Sequence, residues 1–455
     1  MRTTKPDSAP LLFTLSGLRG IVGRSLFPTT VMDYALAFGS WCKGGKVVLS
    51  RDTRASGEML KMVAASALVS TGCQVIDIGI TPTPTVGLAV INTEAKGGLT
   101  VTASHNPIEW NALKFFNHKG RYLAPEEIEQ IKRILEKKAF WHQPWNKLGT
   151  VENDNSQIRK HIAKILKLRS IKLEKIRKAR FKVVLDGCNG AGFQAGPGLL
   201  KALGCKTVGI NCENTGTFPR KPEPVVANLG QLEQAVRTAK ADIGFALDPD
   251  ADRLAIVSDQ GKAIGEEYTL ALAVDYLLSQ KVGKVVVNLS TSRMVEEVAK
   301  KYGCQVERTK VGEANVSALL ERIGGVIGGE GNGGVILPQL HHTRDGLLAM
   351  ALILSYLAES GRSISSWVAE IPKYYMEKKA AQTDGDLIST AGRLRRAFRP
   401  VRVLTLDGIK LEFADSWLHL RKSNTEPIVR IIAEARSKQE ASGLTEKALK
   451  IIRQG

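Results

Sequence analysis

One short motif recurs three times along this 455-residue chain and constrains its fold more than any other feature. Lys46-Val47-Val48-Leu49-Ser50 returns as Lys182-Val183-Val184-Leu185-Asp186 and again as Lys284-Val285-Val286-Val287-Asn288. Each is a short β-branched run behind a basic or glycine-rich stretch and reads as a buried strand. A helix-length stretch follows each copy, and then a second matched marker. These are Gly72-Cys73-Gln74-Val75, Gly204-Cys205-Lys206-Thr207-Val208 and Gly303-Cys304-Gln305-Val306. A strand, a helix ended by glycine and a second strand make a βαβ unit. The repeat therefore predicts three α/β domains of one topology, each a parallel sheet covered by helices. Cys73, Cys205 and Cys304 fall at equivalent strand entries and read as core packing.

The last part of the chain, from about Tyr374, lacks the marker pair. Val401 to Leu406, Ile409 to Phe413 and Ile428 to Ala433 read as strands, and Ser437 to Arg453 as a closing helix, giving a smaller α+β domain. The expected division is 1–155, 156–270, 271–373 and 374–455.

Composition removes several classes. Hydrophobic residues at 43% and charged residues at 24% exclude a disordered or fibrous chain. The longest apolar run, Leu347 to Ala358, contains Ser355 and stops at Glu359, short of the ~18 residues of a membrane span. Met1 to Pro10 carry no apolar signal block, and no two of the six cysteines stand in CxxC spacing. A cytoplasmic protein is expected. Net charge is +19, but between Ile131 and Lys182 there are 16 Lys/Arg against 4 Asp/Glu. Ile158, Ile162, Ile165 and Leu166 stand there near helical spacing, so the segment reads as an amphipathic helix with a solvated basic face and not as a nucleic-acid surface.

Four constellations carry chemistry, one in each expected domain. Thr102-Ala103-Ser104-His105-Asn106-Pro107 follows a strand-like run and would expose the Ser104 hydroxyl at a tight turn, unless the turn is only structural. Asp248-Pro249-Asp250-Ala251-Asp252-Arg253 sets three carboxylates at alternate positions between two strands. Such carboxylates repel unless a cation sits among them, and their hard oxygens suit Mg²⁺. An EF-hand fails here, because Arg253 stands where its glycine belongs and Asp259 where its glutamate belongs. Gly328-Gly329-Glu330-Gly331-Asn332-Gly333-Gly334 lets backbone approach a ligand, with Glu330 and Asn332 suited to sugar hydroxyls. It lacks the ending of a P-loop. Arg421-Lys422-Ser423-Asn424-Thr425-Glu426-Pro427, with Arg430 beyond, crowds the donors that a phosphate dianion takes. Together they describe a cleft for phosphoryl transfer on a sugar phosphate.

In these blocks, in their order, the chain resembles the α-D-phosphohexomutases over nearly its whole length. Ser16-Gly17-Leu18-Arg19-Gly20, Arg51-Asp52-Thr53-Arg54, and Thr217-Phe218-Pro219 before Pro222-Glu223-Pro224 agree as well. The resemblance implies four domains around a central cleft, the first three with a mixed α/β core. It implies that Ser104 carries a phosphate, passed to a hexose 1- or 6-phosphate to make a bisphosphate that reorients and returns the other phosphate. That hexose bisphosphate serves as intermediate and activator. Asp248, Asp250, Asp252 and phospho-Ser104 would hold Mg²⁺, Arg19 and Arg253 steady the phosphate, and Lys114 and His105 manage the hydroxyl proton. Glu330 would read the sugar, with Asn332 beside it, Arg308 and Lys310 would contact substrate, and Arg421, Ser423, Asn424, Thr425 and Arg430 would grip the idle phosphate. In the common bacterial sugar loop, serine stands at the place of Asn332 and histidine at that of Gly334. Gly-Glu-x-Asn-Gly-Gly and the opening Leu15-Ser16-Gly17-Leu18-Arg19-Gly20 look like the archaeal-type branch. Within it, phosphoglucosamine mutase is the lead reading and phosphomannomutase/phosphoglucomutase the alternative, with small sugar phosphates as partners and a monomer or homodimer expected. A phosphatase using Asp248 as nucleophile is disfavoured by Asp252 where such motifs carry Thr or Val. A silent sugar-phosphate or RNA binder is disfavoured by the intact serine and aspartate loops.

Overall fold

The computed structural model describes residues 11–382, 387–422 and 428–453. Four sheets are built in succession along the chain. The three copies of the repeated motif are the strands Val47–Arg51, Lys182–Asp186 and Val285–Asn288. Each has the second-marker strand, Val75–Ile80, Lys206–Ile210 or Val306–Thr309, parallel on one side. On the other side runs a third parallel strand, Gly97–Val101, Ile243–Leu247 or Ile327–Glu330.

The sheets are not all-parallel, which corrects that expectation. Beyond each third strand lies an antiparallel fourth: Trp110–Asn117, Leu254–Val257 or Gly334–Ile336. The cause is the length of the connection. A parallel return needs a crossover of a dozen or more residues, whereas residues 102–109, 248–253 and 331–333 join these pairs directly. The chain can only fold back as a hairpin. The serine, aspartate and glycine motifs are therefore the same turn of the same repeated unit, at the carboxyl ends of its central strands, where open α/β sheets bind ligands. The first sheet is extended by Leu12–Thr14 and Gly17–Ile21 on one edge and by Val151–Asn153 on the other.

Domains two and three share one continuous apolar core. The apolar run read from sequence is the helix Gly346–Ser360, whose side chains from Leu347 to Ser355 are all buried, and so it needs no polar face. The helix Glu266–Gln280 is equally buried, and it spans the expected division at 270, which places the start of the third unit before Glu266. The basic segment forms short helices, not one: Pro125–Glu136, Gln157–Leu166 and Leu173–Ala179. Ile165 is buried and Ile158, Ile162 and Leu166 pack on the core, leaving the cations to solvent. Cys73 is fully buried, while Cys205 and Cys304 are half-buried against the core.

The fourth sheet is wholly antiparallel, Tyr375–Ala381, Val429–Ala435, Trp417–Lys422, Ile409–Glu412 and Arg402–Leu404 in spatial order. The helix Lys438–Arg453 packs on it. The phosphate motif begins at the end of Trp417–Lys422, whose antiparallel neighbour is Val429–Ala435. Ser423, Asn424 and Thr425 lie outside the described residues. No helix among the described residues is long and apolar enough to cross a membrane.

Candidate active site

Ser104 closes the strand Gly97–Val101 with φ of +50°, in the left-handed region that costs a non-glycine residue of order 1–3 kcal/mol. Its neighbours hold it there. The Ser104 N–H donates to Thr102 Oγ1 at 3.1 Å, and that hydroxyl donates to Asp52 Oδ2 at 2.6 Å. The fully buried Arg54 guanidinium pairs with Asp52 at 3.1 Å and donates to the carbonyls of Ser104 and Asn106 (both 2.7 Å), Pro107 (2.6 Å) and Trp110 (3.0 Å). One side chain thus satisfies most of the loop's inward carbonyls. Sequence reasoning noted Asp52 and Arg54 only as a flanking match and did not assign them this role. Arg19 Nη1 donates to Asn106 Oδ1 at 2.6 Å.

The loop is aimed at the aspartates. Ser104 Oγ donates to Asp248 Oδ2 at 3.0 Å, across 144 residues of sequence. Asp250 Oδ2 accepts from Lys114 Nζ at 2.6 Å and Thr83 Oγ1 at 2.7 Å, and Asp252 Oδ2 from Arg344 Nη2 at 2.5 Å. All three carboxylates are essentially buried, with one oxygen of each within 4.8 Å of the others. Burial, then Asp250 and Asp252, push the Asp248 carboxyl far above the usual range. Burial also acts on Asp250, but the Lys114 ammonium outweighs it and holds that carboxyl well below. Asp250 Oδ1 and Asp252 Oδ1 are buried without a hydrogen-bond partner among the described residues. Orphaned anionic oxygens beside a third carboxylate are what a hard divalent cation satisfies. The other His/Asp group, His161, His341 and Asp345, is different. His341 Nδ1 accepts the Thr343 N–H at 3.0 Å, so its Nε2 carries the proton toward Asp345 Oδ2 at 2.9 Å. His161 Nε2 meets the same oxygen at 2.8 Å, and Asp345 Oδ1 caps the helix through the Leu347 and Leu348 N–H groups. That knot is closed by its own hydrogen bonds.

The glycine turn packs back on this centre. Glu330 Oε1 accepts from Asn288 Nδ2 at 2.8 Å and the Gly312 N–H at 3.0 Å, and Oε2 from Arg344 Nη1 at 2.7 Å. Asn332 Oδ1 receives the Gly334 N–H at 3.3 Å. Arg344 joins three carboxylates, because its Nε also lies 2.9 Å from Glu313 Oε2. The absence of a side chain at 334 has a steric reason: a Cβ there would lie 2.2 Å from Arg344 Cδ. The room that a side chain at 334 would need is taken by Arg344.

These elements surround a cleft of about 890 Å³ lined by Arg19, Ser104, His105, Lys114, Arg253, Glu330, Asn332, Arg421 and Arg430, among others. Arg421 and Arg430 face each other on paired strands. Burial, Arg253 and Arg19 depress the His105 imidazole, keeping it neutral, with Nδ1 at 3.4 Å from Ser104 Oγ. Arg253 lies 3.6 Å from Glu223. Two expected residues are not brought here. Arg308 is spent on Glu296 (2.6 and 2.8 Å) and on the carbonyls of Asn288, Leu289 and Thr291, ordering the 288–291 turn. Lys310 is exposed outside the cleft lining. Sequence reasoning assigned no role to Arg344, Glu313 or Tyr122, all of which line the cleft. The buried Tyr122 hydroxyl has no hydrogen-bond partner among the described residues.

Comparison with known proteins matches four successive stretches of the chain. Residues 10–142, 159–261 and 265–375 match "Phosphoglucomutase/phosphomannomutase, alpha/beta/alpha domain" I, II and III, and residues 376–451 match the C-terminal domain of that family. A "Phosphoglucomutase/phosphomannomutase" of Thermococcus kodakarensis is 38% identical, covering 97% of this chain and 98% of its own. A "Probable phosphoglucosamine mutase" of Pyrococcus abyssi is also 38% identical, with 97% of each chain covered. Among solved structures, a putative phosphomannomutase from Thermus thermophilus superposes with a TM-score of 0.84 at 26% identity, over 98% of this chain and 99% of that one.

Proposed function

From the premise that the chain belongs to the phosphoglucomutase/phosphomannomutase family, and is a phosphohexomutase, we propose that it interconverts glucosamine 6-phosphate and glucosamine 1-phosphate through a phosphoserine at Ser104 and bound Mg²⁺. The observation that carries this reading is the Ser104 hydroxyl hydrogen-bonded to Asp248 in a buried triple-aspartate turn, opposite a sugar-reading glycine turn.

The Ser104 Oγ–P bond breaks as the free sugar hydroxyl bonds to phosphorus. The hydroxyl proton passes to a neighbouring base. His105, neutral and beside Ser104 Oγ, is placed to take it. Asp248, Asp250 and Asp252, with a phosphoserine oxygen, would hold Mg²⁺, which supplies neutralisation of charge on the transferring group. Arg19 and Arg253 add positive charge there, and Lys114 keeps Asp250 ionised. Glu330, already ordered by Asn288, Gly312 and Arg344, accepts from sugar hydroxyls. Arg421 and Arg430 receive the phosphate that is not reacting, with Ser423, Asn424 and Thr425 completing that grip. The bisphosphate turns within the cleft and returns its other phosphoryl group to Ser104.

The choice of glucosamine rests on the Gly-Glu-x-Asn-Gly-Gly turn and on relatives named phosphoglucosamine mutase. The second reading, a phosphomannomutase/phosphoglucomutase, is favoured by the name of the Thermococcus relative. Parallel Mg²⁺-dependent assays on glucosamine, mannose and glucose phosphates decide between them by kcat/KM. A preference for glucosamine phosphate supports the first, and equal or better rates on the others support the second. Asp250→Asn is expected to raise the Mg²⁺ concentration for half-maximal activity by about 10–100-fold and to lower kcat with it. An unchanged magnesium titration would remove Asp250 from the ligand set.

A further inference from the structure

Among the described residues, four acidic side chains line the cleft: Glu223, Glu267, Glu313 and Glu330. Three are committed to cations. Glu223 lies 3.6 Å from Arg253, Glu313 2.9 Å from Arg344 Nε, and Glu330 2.7 Å from Arg344 Nη1. Glu267 is different. Its Oε2 accepts the Ser292 N–H at 2.9 Å, and among the described residues it forms no ion pair, because the adjacent Lys378 donates instead to Glu266 at 2.9 Å. Burial pushes its carboxyl up to about 8, against the weaker pull of Lys378. The carboxylate stands hard against the sugar-reading turn. A Cβ at Gly331 would lie 1.9 Å from Glu267 Oε2, so the turn keeps a glycine where Glu267 needs the space, one residue from Glu330.

We propose that Glu267 binds the protonated 2-amino group of a 2-amino-2-deoxyhexose phosphate and is the residue that separates such substrates from glucose and mannose phosphates. This rests on the phosphohexomutase reading above. On a pyranose the C2 substituent neighbours the C3 hydroxyl, so a group beside Glu330 is in position to meet C2 while Glu330 meets hydroxyls. Burial disfavours the ionised form of this carboxyl, and Lys378, committed to Glu266, offsets that only in part. An ammonium beside it stabilises the ionised form and pairs with it. A C2 hydroxyl offers one neutral donor and no charge, so the neutral analogue gains less from the site.

The test is Glu267→Gln, which removes the charge but keeps an oxygen to accept the Ser292 N–H. kcat/KM is measured for glucosamine 6-phosphate and glucose 6-phosphate on wild type and variant, with Kd for both ligands by calorimetry and Tm as a folding control. The ratio of kcat/KM for the amino sugar to that for glucose phosphate is expected to fall by about 10-fold or more, with a matching rise in the ratio of their Kd values. Glu267→Asp, which keeps the charge, should retain more of the preference than Gln. An unchanged ratio, through equal losses or no loss, overturns the proposal and leaves Glu267 as a support for the 292 turn. A wild type that turns over glucose and mannose phosphates and barely accepts glucosamine phosphate also overturns it, while the mutase reading stands. If no hexose phosphate is turned over, that reading fails, and the Kd ratios still decide the role of Glu267.

Discussion

Ser104→Ala is expected to abolish mutase turnover, lowering kcat by at least ~10⁴-fold, the scale on which loss of a covalent nucleophile acts. The reason is chemical before it is structural: the second half-reaction needs a group that has kept a phosphoryl group while the sugar turned. In the described site, the hydroxyls near Asp248 are not interchangeable. Thr102 Oγ1 is committed to Asp52, and Thr83 Oγ1 to Asp250. Folding should survive, because the brace on the loop does not pass through the Ser104 side chain. Arg54 grips the Ser104 carbonyl, and Thr102 accepts the Ser104 N–H; alanine keeps both groups. The variant should therefore fold with a loss of about 1–3 kcal/mol, the cost of leaving the Asp248 acceptor without the Ser104 hydroxyl. It should also lack the added mass of one phosphate that the wild-type protein is expected to carry. Full activity in Ser104→Ala would end the phosphoserine mechanism, and loss of folding would show that the Ser104–Asp248 hydrogen bond holds the first two domains together.

Ser104, the three aspartates and Glu330 were legible in sequence because each sits in a contiguous turn at a strand end, where local residue type reports local chemistry. The threefold repeat revealed the βαβ part of each domain for the same reason. Of the three antiparallel fourth strands, only the one that follows the aspartates, Leu254–Val257, was legible as a strand, and its direction was not. Gly334–Ile336 is only three residues long, too short for a periodicity signal. Its presence could have been argued from the connection alone, since 331–333 cannot span a crossover. The resemblance put Arg308 on substrate, and a motif match says nothing of which neighbours a side chain takes. The Arg308 guanidinium goes to Glu296 on the helix Met294–Lys301. Arg54 and Arg344 act through partners far away in sequence, Arg54 on carbonyls some 50 residues on and Arg344 on Asp252, 92 residues back. A single sequence holds no local signal for either. Glycine at 334 was legible as a departure from the common loop, and only the position of Arg344 explains it.

Arg344→Met should be the most destabilising single change at the site, at about 3–5 kcal/mol, because it removes the cation from buried carboxylates without removing the carboxylates. Arg344 is 7% exposed, and Asp252, Glu313 and Glu330 are 0%, 7% and 5% exposed. Methionine fills much of the volume, so lost packing is a minor contribution. The pH dependence separates the two causes. Burial raises the Glu313 carboxyl to about 7 even with Arg344 pulling it down, and in the variant that pull is gone. A carboxyl whose folded-state pKa exceeds its unfolded value contributes stability that is full below the unfolded value, near 4.5, and is lost as pH rises through the folded one. In Arg344→Met that folded value moves higher still, so Glu313 is protonated and uncharged over a wider range. The stability gap between wild type and variant should thus narrow as pH falls from about 8 to about 6 and widen in the other direction, read as the difference in Tm across a buffer series. A gap that stays constant with pH would mean that the cost is a packing defect, and that the carboxylates around Arg344 do not depend on its charge.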